Sequence, residues 1–160
     1  RMLGERQIHR EYQAVCRGVL TAGGTVSAPL DRHPVDRLRM AVREDGREAV
    51  TPYRVIRRFR GHTHVRVVLE TGRTHQIRVH MAHLGYPLVG DKVYGGRLAL
   101  PKGAGEDLKL ALRRFPRQAL HAARLSLTHP ISGEPLEVTS ELPQDMQELL
   151  ASLERDSERE

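Results

Sequence analysis

One stretch of the sequence decides the fold: Glu70-Thr-Gly-Arg-Thr-His-Gln-Ile-Arg-Val-His-Met-Ala-His-Leu-Gly-Tyr-Pro-Leu-Val-Gly-Asp-Lys-Val-Tyr-Gly-Gly96. Its pattern predicts the end of a strand, a tight turn at Gly72-Arg73, and the start of a helix. Around that turn stand Arg73, His75, Gln76 and Arg78. Buried polar and charged groups are costly unless they are paired. Their concentration at one junction therefore predicts a site that holds an anion or a polynucleotide.

Hydrophobic spacing predicts the elements on either side of the turn. Residues 65–71 alternate as a strand whose Val65, Val67 and Leu69 face inward. The following helix is predicted to begin with Thr74 as N-cap and to end at Leu84, since Gly85 and Pro87 stop it. Its apolar stripe, and so its predicted core face, consists of Ile77, Met81 and Leu84.

The rest of the chain alternates strands and helices. We expect a helix tail over residues 1–8, a strand over 10–17 and an extended basic loop over 30–39. Asp45-Gly46 predicts a hairpin that joins residues 40–43 to 49–56. Further along, the expected elements are a short helix bearing Leu108, Leu112 and Phe115, strands at 118–128 and 136–139, and a last helix from Pro143 that frays after Leu153. Hairpins with interposed helices indicate an α+β fold with a mainly antiparallel mixed sheet flanked by helices.

Composition favours a polyanionic partner. The 160 residues form one domain, and 26 Lys and Arg against 20 Asp and Glu leave a net charge of +6. Only three of the cations are lysines, and arginine forks bind phosphate in a bidentate manner. A basic domain without a nucleic-acid partner remains open on charge alone.

Other features limit the class of protein. Cys16 is the only cysteine, which excludes an internal disulfide and a thiolate metal cluster and fits an inert core residue. No apolar run approaches bilayer length and no signal peptide is visible, so we expect a cytoplasmic protein without membrane contact. Because the first residue is Arg, we also expect the chain to begin inside a longer parent.

Three interpretations of residues 70–96 compete. A metal site would use His75, His80 and His83, but the His-Glu-x-x-His pattern is missing and Asp91 would have to come from a loop; we expect no metal. A purely structural strand–turn–helix corner is the second. The third is an anion site, formed by the turn's N–H groups, the helix N-terminus and two arginines; the anion is an RNA phosphate or a carboxylate supplied from elsewhere.

Blocks along almost the whole chain carry a family resemblance. They are Leu69-Glu-Thr-Gly-Arg-Thr-His-Gln-Ile-Arg-Val-His80, Gly85-Tyr-Pro-Leu-Val-Gly-Asp-Lys-Val-Tyr-Gly95, Arg10-Glu-Tyr-Gln-Ala-Val, Leu120-His-Ala-Ala-Arg-Leu with His129-Pro-Ile-Ser-Gly, and Leu142-Pro-Gln-Asp-Met. Together they closely resemble the pseudouridine synthases of the large-subunit ribosomal RNA type. The resemblance implies the pseudouridine synthase catalytic fold and cofactor-free isomerisation of uridine in structured ribosomal RNA, hence RNA binding, rRNA processing and a part in ribosome biogenesis.

The resemblance also implies roles for particular residues. Tyr12 stacks on the flipped base and accepts its C5 proton, Arg78 pairs with a catalytic aspartate, and Ile77 lines the pocket beneath the base. From the residues alone, a core aromatic is the favoured interpretation of Tyr12, whereas a surface helical arginine is the less favoured interpretation of Arg78. Two more groups of residues are expected to lie against the RNA. The first, Arg73, His75 and Gln76, contacts the RNA backbone or holds the turn. The second is the set of loop residues Arg32, His33, Arg37 and Arg39, which are expected to contact phosphates.

The family's catalytic aspartate lies in a His-Arg-Leu-Asp block before the tyrosine strand, and that block is absent here. Asp31 follows Tyr12 and its neighbours are in the wrong order, so it is no substitute. Residues 1–160 are therefore expected to be the C-terminal portion of one catalytic domain, inactive alone, within an active parent. The alternative hypothesis is a non-catalytic RNA-binding or ribosome-assembly module on the same scaffold.

Overall fold

The computed structural model describes residues 8–70 and 72–159. Its centre is a six-stranded sheet in the order β2-β5-β6-β1-β7-β8, and every described pairing is antiparallel. The strands are β1 (Ile8–Arg17), β2 (Gly24–Ser27), β5 (Val50–Arg58), β6 (His62–Leu69), β7 (Leu120–Thr128) and β8 (Pro135–Thr139). A separate two-stranded hairpin contains β3 (Leu30–Arg32) and β4 (Met40–Val42). The expected α+β fold with an antiparallel sheet is confirmed.

β1 lies between β6 and β7, and the sheet that contains it separates the two main clusters of core residues. Its even-numbered residues Ala14 and Cys16 are buried on one face with Val65 and Val67, as the alternation predicts. Val15 is buried on the other face. The predicted strand 10–17 is confirmed, and it begins two residues earlier, at Ile8. Ile8 thus lies in a strand rather than in the predicted helix tail, and residues 1–7 of that tail lie outside the described residues.

Two helices cover the face of the sheet that contains Val15. They are α2 (Glu106–Arg114) and α3 (Gln144–Ser157), which pack through Leu108, Leu112, Met146, Leu149 and Leu153. The predicted fraying of α3 after Leu153 is wrong. Asp156 is buried and its carboxylate accepts hydrogen bonds from Arg60 and the Gly105 N–H, which anchors the last turn. No helix in the described parts of the chain is long and apolar enough to cross a bilayer.

Helix α1 (Gln76–Leu84) packs on the opposite face through Ile77 and Met81. The prediction of Thr74 as N-cap is wrong. The N-cap residue is His75, whose backbone is left-handed (φ 57°) and whose side chain makes no capping hydrogen bond. Gly85 ends the helix as predicted, with φ 99°. Leu84 was assigned to the core stripe but is 37% exposed, because the short helix rests on Val79 and His80 as well.

The predicted hairpin across Asp45-Gly46 does not form. A turn is present, but β4 pairs with β3, and β5 pairs with β2 and β6. The reason is Leu30, whose backbone exchanges two hydrogen bonds with Arg47 at 2.8 and 2.9 Å. Gly46 packs so closely on the Leu30 backbone that a Cβ atom there would lie 2.6 Å from it. Gly46 thus serves this close approach rather than a two-residue hairpin turn.

Candidate functional site

A surface depression of about 320 Å³ lies where β1, the end of β6 and the start of α1 meet. It brings together six of the residues singled out in the sequence: Tyr12, Arg73, His75, Gln76, Ile77 and Arg78. Leu69, Gly72, Gln118 and Leu120 complete the wall. None of the described residues in this wall is acidic. The depression, which we call the Tyr12 depression, therefore combines an aromatic ring with cationic and amide groups.

Arg78 is held by a carboxylate within the chain. Its Nε donates to Asp91 Oδ2 at 2.8 Å and its Nη2 donates to Asp91 Oδ1 at 3.0 Å, the fork geometry of a strong ion pair. The Asp91 side chain is fully buried and that of Arg78 is only 12% exposed. Arg78 thus has a structural partner within the chain, because the loop after α1 folds back under the helix. Within residues 8–70 and 72–159, Nη1 of Arg78 has no hydrogen-bond partner.

Asp91 is itself fixed by the backbone. Its Oδ1 accepts the N–H groups of Val93 at 3.2 Å and Tyr94 at 3.1 Å. Burial would raise the pKa of Asp91, but the hydrogen bonds from Arg78, Tyr94 and Val93, together with the Arg78 charge, hold it below its usual value. Asp91 is therefore ionised at neutral pH and orients the guanidinium of Arg78.

Tyr94 links Arg78 to the basic loop. Its ring lies 5.0 Å from the Arg78 guanidinium and 5.3 Å from that of Arg39, both within cation–π range. Its hydroxyl accepts the Met40 N–H at 2.9 Å and donates to His75 Nδ1 at 2.7 Å. Burial, with the Arg78 charge, lowers the pKa of His75, which keeps the imidazole neutral and able to accept this bond.

Gln76 holds the turn from inside. It is 2% exposed, and its Oε1 accepts the Arg73 N–H at 2.9 Å. Its Nε2 donates to the Val50 carbonyl and to Thr51 Oγ1, both at 2.9 Å. With its amide engaged in these bonds, Gln76 is placed to shape the depression rather than to contact RNA through its side chain.

The same buried network continues to His80. The Thr51 hydroxyl donates to His80 Nδ1 at 2.7 Å, and His80 Nε2 donates to the Ala28 carbonyl at 2.8 Å. Burial lowers the pKa of His80, as expected for a neutral imidazole with one donor and one acceptor nitrogen. His75 and His80 therefore have separate partners, and the described residues contain no group of three or more side chains suited to a metal ion.

The four loop residues predicted to bind phosphate lie outside the wall of the Tyr12 depression. Arg32 and Arg37 are exposed; Arg32 Nη1 donates to the Arg37 carbonyl at 3.0 Å. His33 Nδ1 accepts the N–H groups of residues 35 and 36, so it shapes the loop. Arg39 alone reaches towards the site, through the Tyr94 ring.

Asp91 and Tyr94 were not assigned roles from the sequence. The sequence did carry a signal for a turn: Asp91 lies in the Gly-rich run 90–96. An Asp in such a run typically accepts hydrogen bonds from the backbone N–H groups two and three residues later, as it does here. That signal predicts the turn but not its ion-pair partner, because Arg78 is 13 residues earlier.

Comparisons with known proteins agree with this architecture. The family model for RNA pseudouridylate synthase matches residues 1–83. The ribosomal large subunit pseudouridine synthases D of Xanthomonas campestris pv. campestris and Escherichia coli K12 are 59% and 57% identical, each over 98% of this chain. These alignments cover 47% and 48% of those relatives, so the chain spans about half the length of the curated relatives it matches.

Two solved human structures have a similar fold. RNA Pseudouridylate Synthase Domain Containing 1 gives a TM-score of 0.68 at 25% identity, covering 98% of this chain and 69% of that one. RNA Pseudouridylate Synthase Domain Containing 4 gives 0.69 at 26% identity, covering 93% and 63%. The fold is thus that of the RNA pseudouridylate synthase domains. The chain belongs to the RNA pseudouridylate synthase family.

Proposed function

We propose that residues 1–160 form the C-terminal portion of the catalytic domain of an RNA pseudouridine synthase, which isomerises uridine in large-subunit ribosomal RNA without a cofactor. The observation that carries this proposal is that Tyr12, Ile77 and Arg78, from two separate elements, line one depression. The identity of 59% to a relative named for that activity supports the choice of substrate.

In this proposal the target uridine is flipped out of the RNA into the Tyr12 depression. Flipping costs a few kcal/mol, which stacking and hydrogen bonds in the pocket must offset. Tyr12, half-buried on β1, stacks on the uracil and, as the phenolate, accepts its C5 proton after the ring has turned. Ile77, 4% exposed, forms the apolar floor beneath the base.

Arg78 orients the nucleophile. Asp91 holds two nitrogens of the guanidinium, so its plane is fixed before substrate arrives, and Nη1 can pair with a second carboxylate. That carboxylate attacks C1′ as the N1–C1′ bond breaks; once the uracil has turned, C5 bonds to C1′ and the carboxylate is released. A neighbouring guanidinium keeps such a carboxylate ionised.

We infer that the nucleophilic aspartate comes from outside these 160 residues. The described wall of the Tyr12 depression has no carboxylate, and the side chain of Asp91 is fully buried and committed to Arg78. We then expect the isolated chain to be inactive and the longer parent that contains it to be active.

The rest of the basic surface holds the RNA. Arg73 lies on the rim, where its Nε donates to the Glu48 carbonyl, and Arg32, His33, Arg37 and Arg39 lie along the adjacent loop. Their placement suits contacts to phosphates on either side of the flipped uridine. Ribosomal RNA as substrate implies a cytoplasmic enzyme of ribosome biogenesis; the alternative is an RNA-binding module that keeps this surface without the chemistry.

Tritium release from 5-tritiated uridine in ribosomal transcripts, measured with the full-length parent, tests the proposal. We expect release with the wild-type protein and a loss of kcat on Arg78→Ala that far exceeds the loss of RNA affinity. The matched control is Arg60→Ala, which removes another partly buried Arg–Asp pair. Absence of release on every ribosomal transcript would refute the enzyme and favour the binding module. An affinity loss alone on Arg78→Ala would make Arg78 a phosphate contact.

A further inference from the structure

A second cavity lies at the other end of β1, beside α2. It has a volume of about 110 Å³, and it shares no lining residue with the Tyr12 depression. Leu88, Leu112 and Phe115 form part of its wall. A water molecule needs only about 10–15 Å³ of such volume, so there is room for several waters or for one phosphate group.

Four of the residues that line this cavity are cationic: Arg17, Lys92, Arg97 and Arg113. Within residues 8–70 and 72–159, none of the four takes part in an ion pair. The cavity's one acidic residue, Asp91, is already neutralised by Arg78. Arg17 is half-buried and the other three are exposed, so the four charges give the mouth of the cavity a positive potential that attracts an anion.

Arg17 is fixed in place without losing its charge. Its Nη1 donates to the Arg97 carbonyl at 2.8 Å and its Nη2 donates to the Gly95 carbonyl at 2.9 Å. These acceptors are neutral, so they orient the guanidinium but do not cancel it. Such a pre-oriented cation binds an anion at a lower entropic cost than a mobile one.

His62 adds a hydrogen-bonding group that the described residues leave unsatisfied. It lines the cavity, is 1% exposed, and neither ring nitrogen has a partner among the described residues. Buried polar groups in native proteins almost always have partners. A hydrogen-bonding occupant of the cavity would supply such a partner to His62.

We propose that this cavity binds a phosphate group of the RNA strand, at a point separate from the flipped uridine. Tyr12 and Arg17 are five residues apart on β1, roughly 16 Å at strand rise, and their side chains lie on opposite faces of the sheet. A strand whose uridine is in the Tyr12 depression must therefore pass from one face of the sheet to the other to place another phosphate in this cavity. The choice of RNA as carrier rests on the proposed function.

A matched pair of arginines on α2 tests this assignment. Arg113 lines the cavity, Arg114 does not, and both are exposed, so either change to Gln should leave the fold intact. Binding of a fluorescein-labelled RNA oligonucleotide to the full-length parent is measured by fluorescence anisotropy at a series of salt concentrations between about 50 and 300 mM. One phosphate contact contributes about 0.7 to the salt slope for a single strand, which is about fivefold in affinity at 0.1 M.

Arg113→Gln is expected to weaken RNA binding about fivefold and to lower the salt slope by about 0.7, while Arg114→Gln changes affinity less than about twofold. Equal effects of the two changes, or none, would overturn the assignment. Inorganic phosphate, added at constant ionic strength, separates the sources. Competition in wild type but not in Arg113→Gln means that a phosphate group is sufficient; no competition, with the Arg113 effect retained, means that only a strand-borne phosphate binds.

Tritium release keeps this assignment separate from the proposed function. Release by the parent together with equal effects of Arg113→Gln and Arg114→Gln rejects the cavity and retains the enzyme. Competition by inorganic phosphate without release retains the cavity as a phosphate site and rejects the enzyme.

Discussion

The ion pair between Arg78 and Asp91 makes a quantitative prediction for Asp91→Asn. Oδ1 accepts three hydrogen bonds, from Arg78 Nη2 and the N–H groups of Val93 and Tyr94, while Oδ2 accepts one, from Arg78 Nε. An Asn side chain can keep its oxygen at the position of Oδ1, but its NH2 group then takes the position of Oδ2. Two hydrogen-bond donors, this NH2 group and the Arg78 Nε–H, would then face each other. The change also leaves a guanidinium with a 12% exposed side chain without its counter-charge.

Removing one partner of a buried pair costs about 3–5 kcal/mol. Because Arg78 keeps some exposure, we expect the lower end, about 3 kcal/mol, or a roughly 150-fold change in the unfolding equilibrium. Urea unfolding at pH 7, followed by circular dichroism, measures it as a lower midpoint at unchanged m. Since the pKa of Asp91 is lowered in the folded state, its stabilisation is present above the unfolded pKa of 3.8 and is lost as the pH falls below it.

The control is Asp145→Asn. Asp145 pairs with Arg117 in the same fork geometry, at 2.9 and 3.0 Å, but the two side chains are 32% and 37% exposed. Exposed pairs contribute about 0.2–1 kcal/mol, so this change should cost less than about 1 kcal/mol. If the two variants lose equal stability, burial does not set the strength of the Arg78–Asp91 pair and the reasoning is refuted.

Three further predictions concern other groups. Tyr94→Phe keeps the ring beside Arg78 but removes the hydroxyl that joins Met40 to His75, so urea unfolding should register a loss of about 1–2 kcal/mol; no loss would mean that the hydroxyl bridge is not formed. Burial, then the Arg17 charge, lowers the pKa of His62 to about 4 from 6.5, against the opposing charge of Asp156. Below pH 6.5 the unfolded chain therefore binds a proton at His62 that the folded chain does not bind. The free energy of unfolding should fall by up to about 3 kcal/mol between pH 6.5 and 4. His62→Gln should lose that part of the pH dependence, and parallel curves for the two proteins would contradict it. Burial raises the pKa of Cys16 to about 12, so native protein should react with a thiol reagent only as fast as it unfolds; immediate labelling would show the thiol to be accessible.

Periodicity along the chain was sufficient to predict most elements. The alternation in β1 and β6 and the stripe Leu108, Leu112 and Phe115 predict which side chains are buried, because each element buries one face whatever its neighbours are. The same logic failed for Leu84 and for the hairpin at Asp45-Gly46. Leu30 pairs with Arg47 in place of the hairpin, and contacts of Val79 with Leu30 and of His80 with Thr51 turn α1 so that Leu84 faces outward.

The site divides in the same way. By itself the sequence determined that Tyr12, Ile77 and Arg78 belong to one family pattern, since that pattern lies in the order of residues. Only the tertiary structure decided that Asp91 holds Arg78, that Tyr94 connects it to Arg39, and that Gln76 turns inward. The first two contacts depend on the loop after α1 folding back beneath the helix, and the third depends on the contact of Gln76 with β5. The free energy of such contacts depends on the distance and burial of residues far apart in the chain, which local sequence patterns do not determine.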